Sequence, residues 1–262
     1  AANANANAGA ALGAHAKAWA TDTTAVGTRA KAGSENGTEG IGATAVGRNA
    51  TANSNQSIAL GYNANALHVK SIALGYNSNA SGANSIASGT NSIASGTSAI
   101  AIGQSSNTNS TNALAIGRSA KAKANGTIAL GTSSEATQKN AIALGYSAKA
   151  TDTAAIAIGK QANALAQGIA IGTESESTDS NALAIGYKAK ASGSSAIAIG
   201  CQAAASQQKA IAIGEQADAT GQNSYAIGYQ AKAFKTDLIT FEEFNMPILI
   251  ASGLISLEEK II

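Results

Sequence analysis

A chain of 262 residues with 4% aromatic residues, 12% charged residues and a single proline has too few bulky side chains to fill the thick interior of a conventional domain. Its 17 basic and 15 acidic residues leave a net charge of +2; with no Arg-rich run and no basic patch interleaved with aromatics, nucleic acid is not an expected partner. Regularly spaced Ile, Leu and Val at so low a net charge also argue against a disordered chain.

The first ten residues, Ala1 to Ala10, contain no basic segment followed by an apolar one. Any export signal is therefore expected to have been removed or to lie outside this sequence. From Gly13 onward the chain is governed by an internal repeat. Glycine recurs at 13, 27, 47, 61, 75, 89, 103, 117, 131, 145, 159, 172, 186, 200, 214 and 228, nearly always 14 residues apart. Alanine stands two residues before every one of these glycines, as in Ala59 and Gly61, Ala73 and Gly75, Ala143 and Gly145, or Ala198 and Gly200. One residue before the glycine is Leu, Val or Ile, with Ser88 the lone departure, and three before it is usually Ile or Leu. Large, small, large is the alternation of a β-strand.

After each glycine the alternation resumes with smaller residues. The third and fifth positions are mostly alanine, as in Ala64 and Ala66 or Ala148 and Ala150, and the fourth is polar, as in Lys17, Glu135, Lys149 or Asp218. Each repeat thus reads as two short strands joined at glycine, closed to the next by Asn, Ser, Thr and Gly. A long helix is excluded, because Ile142 and Leu144 would point about 200° apart at 3.6 residues per turn, and each periodic glycine would cost about 1 kcal/mol in a helix interior. The fold class is all-β: a parallel β-roll or β-solenoid of about 14 residues per turn.

Residues 1–233 form the repeat unit of the chain, with two irregularities. Between Gly27 and Gly47 the step is 20, and the extra glycines within 33–42 predict a loop leaving the stack. Around 82–103 the glycine spacing halves to seven and Ser-Ile-Ala-Ser-Gly-Thr occurs twice, predicting a turn with an altered second strand. Residues 234–262 hold all three phenylalanines, the proline and the only methionine, and read as a separate segment: a cap over the last turn, a short helix carrying Leu254, Leu257 and Ile261, or an attachment region. The apolar stretch from Met246 to Ile255 is too short to span a membrane as a helix.

Stacked turns satisfy the backbone by pairing each strand with its counterpart about 4.8 Å along the axis. The alanine repeated before sixteen glycines must meet something that limits its size. The Ile/Leu pair faces one side of its strand and the alanine the other, so some neighbour lies against the alanine side, and such a chain is not expected to be alone.

The segments Ser57-Ile-Ala-Leu-Gly61, Asn140-Ala-Ile-Ala-Leu-Gly145, Asn181-Ala-Leu-Ala-Ile-Gly186 and Asn223-Ser-Tyr-Ala-Ile-Gly228, each followed by x-x-Ala-x-Ala, resemble the head repeats of the trimeric autotransporter adhesins. The resemblance covers about nine-tenths of the sequence. It implies a left-handed parallel β-roll and a homotrimer packed around a threefold axis on a bacterial outer surface, with the strand carrying Ala-(Ile/Leu)-Gly expected to face that axis. It further implies an adhesin that attaches to collagen or another extracellular-matrix protein, or to other bacteria, and a membrane connection only through an anchor not present in this chain. The family's neck motif is not seen after Ala233. The alternative reading is a passive structural fibre or spacer of a filament or phage-like appendage.

No catalytic, cofactor-binding or metal-binding constellation is read from the sequence, and the expectation is a protein that is not an enzyme. His15 and His68 have no Cys or carboxylate at ligand spacing. Cys201 has no second cysteine with which to form an intrachain disulfide, and no histidine in a matching position of a neighbouring turn. Glu174 and Glu176 read as a solvated edge, and the glycines fit turns rather than a phosphate cradle. The candidate ligand-binding residues are five tyrosines that directly follow a marker glycine, Tyr62, Tyr76, Tyr146, Tyr187 and Tyr229, since exposed tyrosine supplies rigid contact area whose repetition gives avidity.

Overall fold

The computed structural model describes residues 1–4, 7–35 and 39–241. Residues 242–262, and with them the expected helix residues Leu254, Leu257 and Ile261, lie outside the described residues. Among the latter there are 34 strands and no helix. Strands of three and two residues alternate, and each pairs in parallel with the strand of the same kind one repeat away, giving two parallel sheets of 17 strands each. In one repeat Ile142–Leu144 pairs with Ile128–Leu130 and Ile156–Ile158, while Lys149–Ala150 pairs with Glu135–Ala136 and Asn163–Ala164. At about 4.8 Å per turn the stack extends roughly 75 Å.

Strands this short suffice because the corners are built with equal regularity. The marker glycines adopt φ from +123° to +136°, and two residues later a non-glycine sits near +55°, as at Asn63, Asn77, Ser147 and Gln216. This left-handed conformation is one that Asn tolerates best among side chains other than glycine. A backbone hydrogen bond closes each such corner, for example from Ala148 N–H to the Gly145 carbonyl at 3.3 Å. The opposite corner repeats the device seven residues on, at Asn84, Asn140 and Asn223.

The alternation has the reverse sense from the one expected. Alanine points inward and the large residues point out: Ala141, Ala143, Ala148 and Ala150 of one turn are all fully buried, whereas Ile142 and Leu144 between them remain partly exposed. The neighbour that limits each alanine is therefore the chain's own opposite sheet, and three continuous clusters of alanine fill the lumen from Ala16 to Ala233. Alanine is thus held to its size as expected from the sequence, but by the chain's own lumen and not, as expected there, by another chain.

Serine and threonine replace alanine inside without breaking this core. Where they stand at a corner the buried hydroxyl donates to the carbonyl three residues earlier: Ser57 to Ser54 and Ser71 to His68 at 2.6 Å, Ser85 to Gly82 at 2.7 Å, Thr127 to Ala124 at 2.6 Å, and at the marker-glycine corner Ser134 to Gly131 at 2.9 Å. A local partner is already present, so the buried oxygen carries no desolvation penalty that another element must relieve.

The long step between Gly27 and Gly47 leaves the ladder intact, since Thr24–Val26 pairs directly with Thr44–Val46 and Lys31–Ala32 with Thr51–Ala52. Before the added residues Gly33 N–H still donates to the Ala52 carbonyl at 2.8 Å, and after them Asn55 Oδ1 accepts from the backbone N–H groups of Gly40 and Ile41 at 2.8 and 3.0 Å. Through 82–103 pairing also continues without a break, and the additional Gly82 and Gly96 stack on each other at one corner. What changes there is a side chain: Ile93 occupies an outward position that is polar in most turns.

The single 13-residue step, from Gly159 to Gly172, is absorbed by two consecutive left-handed residues, Ala166 at +47° and Gln167 at +62°. Gly168 then occupies the inward corner filled by Ala155 and Ala182 in the adjacent turns. A Cβ on Gly168 would collide with Ser177 Oγ, and Ser177 itself stands where the adjacent turns carry Ala164 and Ala191. The two positions have exchanged volume. Gly168→Ala is expected to cost about 1–3 kcal/mol by overpacking, and Ser177→Ala to recover most of it; chemical denaturation of both single variants and the double variant measures the coupling.

Candidate functional site

Because the lumen is filled by alanine, everything available to a partner lies on two outward flanks and the corners between them. The three-residue strands present an apolar flank, where Ile58, Leu60, Ile72, Leu74, Ile100 and Ile102 and their equivalents stack in register. Several of its members, among them Leu60, Ile158 and Ile213, remain more than a third exposed even with an aliphatic residue above and below. The two-residue strands present a polar flank, whose outward column runs Lys121, Glu135, Lys149, Asn163, Glu176, Lys190.

All five candidate tyrosines lie at the corner that leads from the apolar to the polar flank, with exposures from 37% at Tyr62 to 53% at Tyr146. Only two of them are brought together. Tyr62 and Tyr76 occupy successive turns and stack with ring centroids 5.2 Å apart and planes 9° from parallel. Arg48, one turn earlier, places its guanidinium 5.7 Å from the Tyr62 centroid. Tyr146, Tyr187 and Tyr229 have no tyrosine at the same position of an adjacent turn; Tyr187 instead lies under the Lys188 ammonium at 5.1 Å.

Beside the tyrosine corner, the left-handed residues form a second column. The column is amide-rich in two stretches, where identical side chains one turn apart bond to each other: Asn63 Nδ2 to Asn77 Oδ1 at 3.2 Å, Gln216 Nε2 to Gln202 Oε1 at 3.1 Å and Gln230 Nε2 to Gln216 Oε1 at 2.7 Å. Between these stretches it passes through serines, from Ser105 to Ser147, and Gln161 to a charged pair, Glu174 and Lys188. Lys188 meets Glu174 at 3.5 Å, and in the adjoining column Lys190 meets Glu176 at 3.1 Å. The paired acids Glu174 and Glu176 are thus each matched with a lysine one turn on. Their side chains are more than a third exposed, so water and salt screen both pairs. Hydrogen bonding with Tyr187, then the nearby Glu174, raises the Lys188 pKa above the ordinary lysine value. Glu135 accepts from Lys123 at 3.0 Å, and that hydrogen bond holds its carboxyl below the usual carboxylate range.

A shallow groove runs between the left-handed column and the outward column of the polar flank. It opens in three stretches: among Asn63, Asn65, Asn77 and Asn79 near Ile93, among Glu174, Glu176, Lys188 and Lys190, and among Gln202, Gln216, Asp218 and Lys232. The tyrosine reading of the sequence missed this groove. Its signal was present in the 14-residue spacing of Asn49, Asn63, Asn77 and Asn91, but only the left-handed geometry shows that these amides share one line. Two of the amides are singular: Asn79 Oδ1 and Asn107 Oδ1 are buried without a hydrogen-bond partner, and Ile93 is paired between them.

Cys201 is a free, half-buried thiol next to its marker glycine. Among the described residues no group of three His, Cys, Asp or Glu side chains is placed to hold a metal ion, and no helix is long and apolar enough to cross a membrane.

A family model of the YadA head domain repeat matches residues 4–30, 39–64, 69–92, 94–118, 109–134, 136–162, 166–189, 180–203, 191–217 and 219–237. Among solved structures, the chain is similar to the crystal structure of the collagen-binding domain of the Yersinia adhesin YadA, at 19% identity over 76% of this chain and 69% of that one, with a TM-score of 0.22. No curated protein matches it significantly. The matched segments follow the two-strand turn from one end of the stack to the other, and the chain belongs to the YadA head domain repeat family.

Proposed function

We propose that this chain is a non-enzymatic adhesin head, a left-handed β-roll displayed on a bacterial outer surface as a homotrimer that attaches to collagen or another extracellular-matrix protein, or to copies of itself on other cells. Membership of the head-repeat family supports the adhesin class. The observation that carries the assembly is the apolar flank: a strip of aliphatic side chains along most of the roughly 75 Å stack, still partly exposed in the single chain. Soluble monomers rarely leave so large an apolar surface uncovered. Three copies turning this flank toward a common axis bury it, and leave the tyrosine corner and the polar flank facing outward.

The test is a pair of measurements. Sedimentation equilibrium is expected to give three times the chain mass of 25.6 kDa. Leu144→Lys combined with Ile158→Lys, both outward on this flank, is expected to weaken assembly at least about a hundredfold, on the order of 3 kcal/mol, while the β-rich circular dichroism persists. Immobilised collagen and fibronectin, together with beads coated with the chain itself, then separate an adhesin from a passive spacer: the trimer is expected to bind a matrix protein or to clump the beads, and doing neither sinks the adhesin reading. A monomeric wild-type chain sinks the assembly.

A further inference from the structure

We propose that the patch formed by Tyr62, Tyr76, Asn63, Asn77, Asn79 and Ile93 is a binding subsite for a neutral oligosaccharide. The inference rests on the adhesin reading in one respect: with the apolar flank turned to the trimer axis, this corner and the polar flank beside it are free.

Three parallel columns meet in the patch. The outermost is aromatic, the stacked Tyr62–Tyr76 pair with Arg48 against Tyr62. The middle column holds Asn63 and Asn77, joined through their amides at 3.2 Å. The third is Asn65, Asn79 and Ile93, in register on successive turns. Asn65 Nδ2 donates to the Asn63 backbone carbonyl at 2.8 Å, so the groove presents oriented amides rather than freely rotating ones. Preorganised groups lose less entropy when they bind.

The third column carries the only large apolar residue of the outward line among the described residues, Ala204 being the other apolar one. Its outward position is polar in nearly every turn, yet Ile93 stands between Asn79 and Asn107 and leaves both Oδ1 atoms buried and unpartnered. An asparagine at 93 would extend the amide column. Leaving a buried acceptor unpaired is unfavourable, and local inconsistencies of this kind concentrate where a surface binds something.

The chemistry of the patch selects the ligand class. An amide offers a donor and an acceptor side by side, and a hydroxyl is both at once. Ile93 and the tyrosine rings supply apolar area for the C–H faces of a pyranose ring, while the asparagines address its hydroxyl edge. Apart from Arg48, engaged over Tyr62, the patch is uncharged, whereas the groove stretches at 174–190 and 202–232 carry Glu, Asp and Lys. An acidic glycan therefore has little to pair with here. An extended peptide is disfavoured on separate grounds, because the strands containing Asn65, Asn79 and Ile93 are each paired on both sides and offer no edge for strand addition. The pitch of about 4.8 Å is close to the advance per residue of an extended polysaccharide.

The experiment exposes the intact chain to an array of neutral oligosaccharides, including cello-, chito- and manno-oligosaccharides, beside acidic glycans and immobilised collagen. Tyr76→Ala and Ile93→Asn are run with the wild type. The expected result is binding to at least one neutral oligosaccharide, weakened at least tenfold by either substitution. Ile93→Asn is also expected to melt no earlier than wild type, which separates lost binding from lost structure. Wild type that binds no neutral glycan, that binds only acidic glycans, or that is matched by both variants overturns the proposal. Continued collagen binding in any of those cases leaves the adhesin reading standing, and loss of collagen binding in both variants reassigns the patch to protein.

Discussion

Replacing Ala143 by leucine is expected to destabilise the stack by 3 kcal/mol or more and to divide its cooperative melting into two transitions. Ala143 lies in the strand Ile142–Leu144, fully buried, paired in register with Ala129 and Ala157, and sealed into a lumen lined by Ala136, Ala148 and Ala150. Overpacking a core usually costs about 1–3 kcal/mol because neighbours shift or change rotamer. Here alanines have no rotamer to change, and moving either sheet breaks its register with the turns above and below, which places the effect at or beyond the upper end of that range. Each turn contacts only its neighbours, so the damage stays local and separates two stacks that then melt independently. The effect is on folding of the single chain, in contrast to Leu144→Lys next door, which faces outward. Thermal and urea melts followed by circular dichroism decide the matter: a variant within about 0.5 kcal/mol of wild type would mean that the lumen holds unfilled space.

Gly131→Ala is expected to cost roughly 3 kcal/mol, from two causes acting on the same atom. Its φ is +129°, a region that L-residues rarely adopt, and a Cβ built there would lie 2.5 Å from the Gly145 carbonyl oxygen and 2.7 Å from its carbon. Backbone strain alone is worth about 1–3 kcal/mol. The obstacle, moreover, is a backbone group already fixed in the next corner, so no side chain can swing aside. Gly126→Ala is the informative control. Its φ of +67° lies in the left-handed region used by side chains elsewhere in this chain, and the added Cβ meets only the Asn140 side chain, with Oδ1 at 2.8 Å. About 1 kcal/mol is expected there. Equal losses in the two variants would show that strain, and not the corner-to-corner collision, sets the cost.

The period, the two strands and the glycine corner were legible because each leaves a mark on residue type at fixed spacing. The sense of the alternation was not. Large-small-large fits either face of a strand, and the habit of globular proteins places the large residue inside; two sheets that approach closely enough to need alanine reverse it. The same alternation at the polar flank was read in the right sense, since Lys121 or Lys149 beside Ala122 or Ala150 leaves one choice. The stacked tyrosines were visible as positions following glycine, but pairing Tyr62 with Tyr76 while Tyr146, Tyr187 and Tyr229 stay apart follows only from which turns are adjacent. The asparagine line was hidden more deeply, because asparagine in a corner has an ordinary backbone explanation. Ile93 stood in view within a duplicated hexapeptide, and became informative only beside the two amide oxygens that it isolates.

The ladder passes unbroken through both the 20-residue and the 13-residue steps, so gain or loss of chain at a corner is confined to that corner. Reach and recognition are consequently separable heritable traits: duplicating a unit moves every distal residue outward by about 4.8 Å while leaving its surroundings the same. A lineage carrying such a gene can tune the length of the stack by copy number and the chemistry of its faces by single substitutions, with neither change constraining the other.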